Sequence, residues 1–451
     1  MLKRTRKLAG TFSDGSAGVN RSFFRNFTIL SGGSVLAQLF NLALTPLITR
    51  LYGPTNFGQL ALFLAFFNVA IVAVSLNYEF AIVSSGSDRE AAHLTLCSFL
   101  LSIPTAAVAG LIFYGLVRFQ ISGYGTMPLY AAALIAPALM CAACFSALRY
   151  WLLRGERFGL ISRGAVVQNA SRALAQSGFG FLGPHTAGLL VGEIIGRCSG
   201  MTRMLRTAWP GLKRELTGSD FGQLQAALKK NRRFAVYSLP SSLLDTLAVS
   251  ISFPLVVYFY GLNAGGSYAL VARALALPAV VITANVADAF HSRAALMWQQ
   301  DPEALPGFVK RMATILLLIG AIPAAILVAF GPHLFVWVFG GKWAEAGVMA
   351  AWAAPRFLAQ FVVNPLSRMV LVAGRQEVKF IYDIMAFVGT IVVFAAARHW
   401  SWTVINLVAG LAALNTAAYA VFYILILSIS STPARSSQLA IEDAQRQESV
   451  V

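Results

Sequence analysis

Polar residues on one apolar segment could bind an anion inside the molecule. Gln168, Arg172 and Gln176 are spaced four residues apart, so they share one face of a helix, and Asn169 lies beside them. An Arg guanidinium binds phosphate through two parallel hydrogen bonds and keeps its proton when it is buried. This face therefore predicts binding of a ligand that carries phosphate.

A second cation follows on the next apolar segment. Arg172 precedes Pro184 by 12 residues and Arg197 follows Pro184 by 13 residues. At about 1.5 Å per residue, the two cations lie at the same depth of a helical hairpin. Glu193 is four residues before Arg197 and can pair with it. Arg172 is then the less neutralised cation, and we predict that it lines a cavity.

The chain that must position these residues has the composition of a membrane protein. Of its 451 residues, 57% are hydrophobic and 12% are charged, whereas soluble domains have about 25% charged residues. This composition excludes a soluble enzyme, a disordered chain and a nucleic-acid-binding protein. The net charge of +17 is instead typical of basic cytoplasmic loops.

Twelve apolar segments are long enough to cross a membrane, because about 20 residues span about 30 Å. We expect a basic N-terminal arm over residues 1–26 that is not a cleaved signal peptide, a basic loop over residues 206–233 and a polar tail over residues 429–451. The sequence thus predicts an all-α membrane protein. The predicted spans are residues 27–49, 58–83, 91–117, 127–150, 160–182, 186–205, 234–260, 267–290, 312–339, 346–373, 379–397 and 402–428.

The distribution of Lys and Arg sets the predicted orientation. With both termini in the cytoplasm, 26 of the 35 Lys and Arg residues lie on the inner side and 4 on the outer side. Such an excess of inner cations is the usual orientation signal. We expect the basic loops to bind anionic membrane lipids.

An internal repeat relates the two halves of the chain. Residues 46–62 and 254–270 match at seven of 17 positions at an offset of 208 residues, including Gly58 with Gly266. Six predicted spans separate the copies, so both copies cross the membrane in the same direction. We therefore predict two six-helix lobes, residues 27–205 and 234–428, related by a parallel pseudo-twofold axis around a central cavity. This is a transporter plan that works by alternating access.

Other charged residues lie inside the predicted spans, where charge is costly and is usually functional. We predict that five cations and three polar residues bind substrate. The cations are Arg172, Arg197, Arg273, Arg356 and Arg368, and the polar residues are Gln168, Asn169 and Gln176. Coupling to H⁺ or Na⁺ would need a carboxylate, and the candidates are Glu79, Asp245, Asp288, Asp383 and Glu193. Structural ion pairing is the alternative role for Glu193 with Arg197, and for Glu79 and Asp288.

Several kinds of site have no sequence signal. Gly340-Gly341-Lys342 is followed by Trp343, so it is not a nucleotide-binding loop. The five His residues are scattered, which predicts no metal site. Cys141 and Cys144 form a C-x-x-C inside an apolar run with no second ligand pair, and we interpret them as buried helix residues. The sequence predicts no cofactor and no enzymatic activity.

Short motifs in a fixed order resemble the polysaccharide-transport (O-antigen/exopolysaccharide flippase) family of the multidrug/oligosaccharidyl-lipid/polysaccharide exporter superfamily. The likeness covers nearly the whole membrane region. Asn77 stands where the family often has Arg. The motifs are Ser31-Gly32, Thr49–Pro54, Phe57-Gly58, Tyr78–Val83, Gly155–Phe158, Gly188–Gly192, Tyr268–Arg273, Leu277-Pro278, and Pro365–Met369 with Gly374–Gln376.

The resemblance implies a flippase of the bacterial inner membrane that moves an undecaprenyl-pyrophosphate-linked oligosaccharide. It also implies partners among glycosyltransferases and the polysaccharide polymerase, and Arg residues that line the cavity. Related flippases for the peptidoglycan precursor place a cation site on the seventh and eleventh spans, where this chain has Asp245 and Asp383.

Three alternatives remain open. A multidrug/toxin cation antiporter of the same superfamily would need an acidic, aromatic-lined cavity. A membrane-embedded polysaccharide polymerase or transferase would need a large outer loop or an acidic metal motif. A scaffold subunit would have no continuous cavity.

Overall fold

A computed structural model describes residues 38, 40 and 43–431 of the chain. The basic N-terminal arm, most of the first predicted span and the polar tail lie outside the described residues. The described residues form helices and turns without a strand. They confirm the helical class, and they form two compact units.

The first unit comprises the chain through Tyr52 together with Leu62–Leu247. Helix α2 begins in the second unit, which includes Gly53–Ala61, and continues in the first. The helices up to the boundary are α1 (43–51), α2 (Pro54–Val74), α3 (Tyr78–Ser84), α4 (Asp88–Arg118), a 3₁₀-helix (Ile121–Thr126), α5 (Tyr130–Arg154), α6 (Phe158–Leu182), α7 (Thr186–Ser199), α8 (Met201–Leu216), α9 (Phe221–Lys230), a π-helix (Phe234–Ser238) and α10 (Leu239–Ser250).

The second unit continues with Ala248–Val451. Its core packs α11, α12, α13 and α16 around fully buried side chains such as Phe290, Leu366 and Ile426. The helices are α11 (Ser252–Gln300), α12 (Leu305–Phe339), a 3₁₀-helix (Gly341–Trp343), α13 (Ala344–Leu366), α14 (Arg368–Val372), α15 (Gln376–His399) and α16 (Val404–Ser430).

Eight helices among the described residues are long and apolar enough to cross a membrane. The chain is thus a multi-pass membrane protein, and the count of twelve spans stays a prediction. Helices α6 and α7 are not among the eight. Helix α6 carries the polar face around Arg172, and α7 has 14 residues, fewer than the roughly 20 that span the apolar core.

Two predicted segments differ from the structure. The second predicted span is two helices, because Leu76 and Asn77 adopt left-handed backbone angles between α2 and α3. The segment 206–233, predicted as a loop, is mostly helical, since α8 continues from α7 and α9 follows it. The backbone of α11 breaks at Gly261, where φ is +83° and ψ is 174°, and this break falls between the seventh and eighth predicted spans.

The spacing of the apolar residues in α8 explains why this segment is a helix instead of a loop. Met204, Ala208 and Leu212 recur every four residues and pack against Leu148 and Ile161. Three apolar side chains on one face and basic residues elsewhere are typical of an amphipathic helix. The strongly basic composition of the segment concealed this period in the sequence.

The two copies of the internal repeat meet within the second unit. The Thr55 hydroxyl donates to Oδ1 of Asn263 at 2.6 Å, and these residues are 208 positions apart. A Cβ atom on Gly58 would lie 2.3 Å from the carbonyl oxygen of Leu262, and one on Gly266 would clash with the carbonyl oxygen of Pro54. Each contact is therefore the counterpart of the other under the repeat offset. Such reciprocal contacts are typical of a twofold arrangement.

Candidate functional site

Glycines on α7 bring the candidate cations of α6 and α7 together. A Cβ atom on Gly192 would lie 2.5 Å from Cγ of Gln176, and one on Gly196 would lie 2.4 Å from Cβ of Arg172. Small residues at four-residue spacing let two membrane helices approach closely. The close approach places Arg172 directly beside α7, where Arg197 lies.

Two guanidinium groups share one carboxylate at this helix pair. Nη2 of Arg197 lies 2.7 Å from Oε1 of Glu193, and Nη1 of Arg172 lies 3.5 Å from the same oxygen. Nη2 of Arg172 also donates to Oδ1 of Asn169 at 2.6 Å. We call Arg172, Glu193 and Arg197 the arginine–glutamate cluster. The prediction that Glu193 pairs with Arg197 is confirmed.

The cluster carries a net positive charge in a largely buried place. The side chain of Glu193 is 3% exposed, whereas those of Arg172 and Arg197 are 21% and 20% exposed. The Nε atoms of both arginines are buried and have no hydrogen-bond partner among the described residues. An uncompensated buried cation is costly, so an anionic group that reached the two guanidinium groups would be stabilised there.

An aromatic ring from α2 covers one of the cations. The Cζ atom of Arg197 lies 3.8 Å from the ring centroid of Phe67, which is close enough for a cation–π interaction. Sequence spacing did not identify Phe67, since the contact joins helices far apart in the chain. The aromatic ring holds the Arg197 guanidinium in place without neutralising it.

The amides near the cluster hold helices together. Gln176 is buried and its Nε2 donates to the carbonyl of Leu189 at 3.0 Å, while Tyr52 donates to the carbonyl of Gln176. Nε2 of Gln168 donates to the carbonyl of Arg197 at 3.3 Å. The structure thus gives both Gln176 and Gln168 a hydrogen bond to a backbone carbonyl of α7, and their contact with substrate stays a prediction. Asn169 orients Arg172.

Glu79 is buried just after the left-handed turn that separates α2 from α3. The Ser75 hydroxyl donates to its Oε2 at 2.5 Å. Asn77 lies in this turn, and its Nδ2 donates to the Ser242 hydroxyl of α10 at 3.3 Å. Within residues 43–431, no cation lies at ion-pair distance from Glu79.

The candidate charges of the second unit are dispersed over several helices. Lys379 pairs with Asp383 at 2.5 Å, four residues apart on α15, which makes Asp383 part of an ion pair and not a free cation ligand. Asp245 lies in α10, but its side chain is outside the described part of the structure. Arg273 is half-buried on α11, and Asp288 is exposed on the same helix.

Two predicted cations remain in the second unit. Arg356 is half-buried on α13 and interacts electrostatically with Tyr382 and Tyr419. Arg368 is exposed at the start of α14. Among the residues that the structure describes, no group of three or more His, Cys, Asp or Glu side chains could hold a metal ion.

The family described as "Polysaccharide biosynthesis protein" matches residues 47–348. A search of curated proteins finds no match.

The fold is similar to that of several solved membrane proteins. An inward-facing multidrug resistance MATE family transporter of the MOP superfamily has a TM-score of 0.67 and 16% identity, with 89% of this chain and 96% of that chain covered. The lipid II flippase MurJ in an inward closed conformation has a TM-score of 0.66 and 12% identity, covering 90% of each chain. A MOP superfamily transporter from Pyrococcus furiosus has a TM-score of 0.55 and 15% identity, with 91% and 96% covered.

Proposed function

Because the chain belongs to the polysaccharide biosynthesis protein family, we propose that it carries a lipid-linked oligosaccharide across the bacterial inner membrane. The substrate that we infer is an oligosaccharide on undecaprenyl pyrophosphate, used to build O-antigen, capsule or exopolysaccharide. Both chain termini then lie in the cytoplasm. The partners that we expect are the glycosyltransferases that supply this substrate and the polymerase that consumes it.

The arginine–glutamate cluster is the observation that carries this proposal. A pyrophosphate loses its hydration inside a membrane protein, and that loss is prohibitive without compensating charge. Arg172 and Arg197 supply two planar guanidinium groups, and Glu193 cancels one of their two charges. The remaining positive charge and the unbonded Nε atoms favour an anion. The same net charge disfavours the cationic substrates of the alternative, a multidrug antiporter.

Alternating access would use the repeat. We infer two six-helix lobes around a pseudo-twofold axis with the substrate between them, and the reciprocal contacts of Gly58 and Gly266 support this arrangement. With both termini inside, these contacts lie toward the outer surface. Separation of residues 54–58 of α2 from residues 262–266 of α11 would then accompany opening to the outside.

The driving force would come from the membrane potential and from a titrating carboxylate. Moving each negative charge outward gains about 2.3 kcal/mol per 100 mV. Glu79 is the best candidate for H⁺ coupling, because it is buried with a hydroxyl partner and no described cation partner. A Na⁺ site at Asp245 and Asp383 is less favoured, since Lys379 pairs with Asp383.

Anionic lipids are the partners that we propose for α8 and α9. The eight Lys and Arg residues between Arg203 and Arg233 are exposed, and the side chain of Trp209 is exposed among them. Each cation near an anionic membrane surface contributes about 1 kcal/mol of attraction.

The experiment that tests the function is complementation of a strain that lacks the flippase gene. We expect Arg172→Ala and Arg197→Ala to abolish surface polysaccharide at normal protein level, with Arg172→Lys restoring part of it because Lys keeps the charge but lacks the planar guanidinium that matches two phosphate oxygens. Arg398→Ala is the control, since Arg398 is exposed at the end of α15. Normal polysaccharide in both Ala variants would refute the proposed site.

A further inference from the structure

An apolar cavity of about 480 Å³ lies within the first unit. Its size falls in the usual range for ligand pockets, roughly 300–1,000 Å³. Helix α2 supplies one wall with residues three or four apart, α4 supplies the other wall, and α10 adds one residue. The lining residues are Phe66, Val69, Ala70, Ala73, Val74, Leu76, Pro104, Thr105, Val108, Ala109, Ile112 and Leu243.

The described lining residues offer a ligand no side-chain hydrogen bond. Thr105 is the polar residue among the described lining residues, and its hydroxyl lies 2.6 Å from the carbonyl oxygens of Val74 and Leu101, to either of which it can donate. The remaining lining residues are Phe, Leu, Ile, Val, Ala and Pro. A sugar or a phosphate would lose its hydration here without compensation. A hydrocarbon is the ligand that fits.

Consecutive residues of α2 connect this cavity with the arginine–glutamate cluster. Phe66 lines the cavity, and the ring of Phe67 covers the guanidinium of Arg197. The ring of Phe66 is held against Phe113 with centroids 4.9 Å apart. The cations and the apolar cavity therefore lie on two faces of one helix at the same level.

We propose that this cavity holds the first isoprene units of the substrate's polyprenyl tail while Arg172 and Arg197 hold its pyrophosphate. This inference rests on the proposed function and adds a tail site to it. A membrane phospholipid is the weaker candidate, because its phosphate stays at the membrane surface. A tail attached to a phosphate at the depth of Arg197 begins directly beside Phe66.

The test measures binding of two probes to the purified protein in nanodiscs. One probe is a pyrophosphate-linked disaccharide on an undecaprenyl tail, and the other is the same headgroup on a two-carbon tail. We expect wild type to bind the long probe more tightly than the short probe, because the bilayer concentrates the long tail and the cavity packs against its first isoprene units.

Variants that fill the cavity should reduce this difference. Ala73→Phe places a ring in the cavity, and Val108→Phe does so from a position that is 55% exposed, where folding tolerates a larger side chain. We expect both to bind the long probe more weakly than wild type does, with the short probe bound as in wild type. Ala107→Phe is the control, because Ala107 is exposed on α4 and does not line the cavity.

The outcomes separate the two proposals. If both filled variants, folded by size-exclusion chromatography, keep the wild-type preference for the long probe, the tail site is refuted and a bulk lipid in the cavity is the better explanation. If Ala107→Phe loses the preference to the same extent, the tail site is also refuted. If wild type binds neither probe, the proposed function itself fails.

Discussion

The replacement Glu193→Gln tests whether the cluster is an electrostatic unit. The change keeps the shape of the side chain and removes its charge, so the cluster goes from one net positive charge to two. At an effective dielectric constant of about 20, the contacts of 2.7 and 3.5 Å correspond to about 6 and about 5 kcal/mol of Coulomb attraction. Desolvation offsets part of this attraction, and breaking a buried ion pair costs about 3–5 kcal/mol.

We therefore expect Glu193→Gln to lower the free energy of unfolding by about 3–5 kcal/mol, measured by denaturation in detergent. The double variant Glu193→Gln/Arg197→Gln restores one net charge and should be more stable than the single variant, as a double-mutant cycle would reveal. Glu303→Gln is the control, since Glu303 is exposed, and should change stability by at most about 0.5 kcal/mol.

Added inorganic pyrophosphate gives an independent readout of the same variant. Because it can replace the missing carboxylate charge, we expect pyrophosphate to raise the unfolding temperature of Glu193→Gln more than that of wild type. A single variant as stable as wild type, with no response to pyrophosphate, would refute the reasoning that the cluster is desolvated and positively charged.

Three further predictions concern backbone contacts and coupling. Gly196→Ala should cost about 1–3 kcal/mol by overpacking against Arg172 and reduce transport, whereas Gly178→Ala, with open space around it, should be tolerated by the same unfolding and polysaccharide assays. Glu79→Gln mimics the protonated carboxyl and should remove the dependence of vesicle transport on an imposed pH gradient; an unchanged dependence would contradict H⁺ coupling there. Gly266→Ala should impair transport by pushing the two repeat copies apart, while Gly53→Ala, which meets no neighbour, should not.

Sequence spacing predicted the contacts that lie along one helix. Glu193 and Arg197 are four residues apart and pair as expected. Lys379 and Asp383 have the same spacing and also pair. Apolar segment length also located α4, α6 and α16 to within a few residues, because about 20 apolar residues are needed to cross the membrane.

Contacts between helices were less predictable. Arg172 has no acidic residue at helical spacing, yet it reaches Glu193 on the neighbouring helix. The amide of Gln176 faces α7, not a cavity. Both results depend on how closely α6 and α7 approach, and that distance is set by Gly192 and Gly196. Glycine spacing was thus the sequence signal that could have identified the helix pair.

The shortness of α7 and the polar face of α6 have a consequence for biosynthesis. An isolated Arg at the centre of an inserting segment costs about 2.5–3.5 kcal/mol, and α7 alone, with 14 residues, is too short to offset this cost. Formation of the α6–α7 pair before release from the translocon would bring both arginines to Glu193 and neutralise one of their two charges. The two segments are therefore expected to enter the bilayer together, as one hairpin, instead of one after the other.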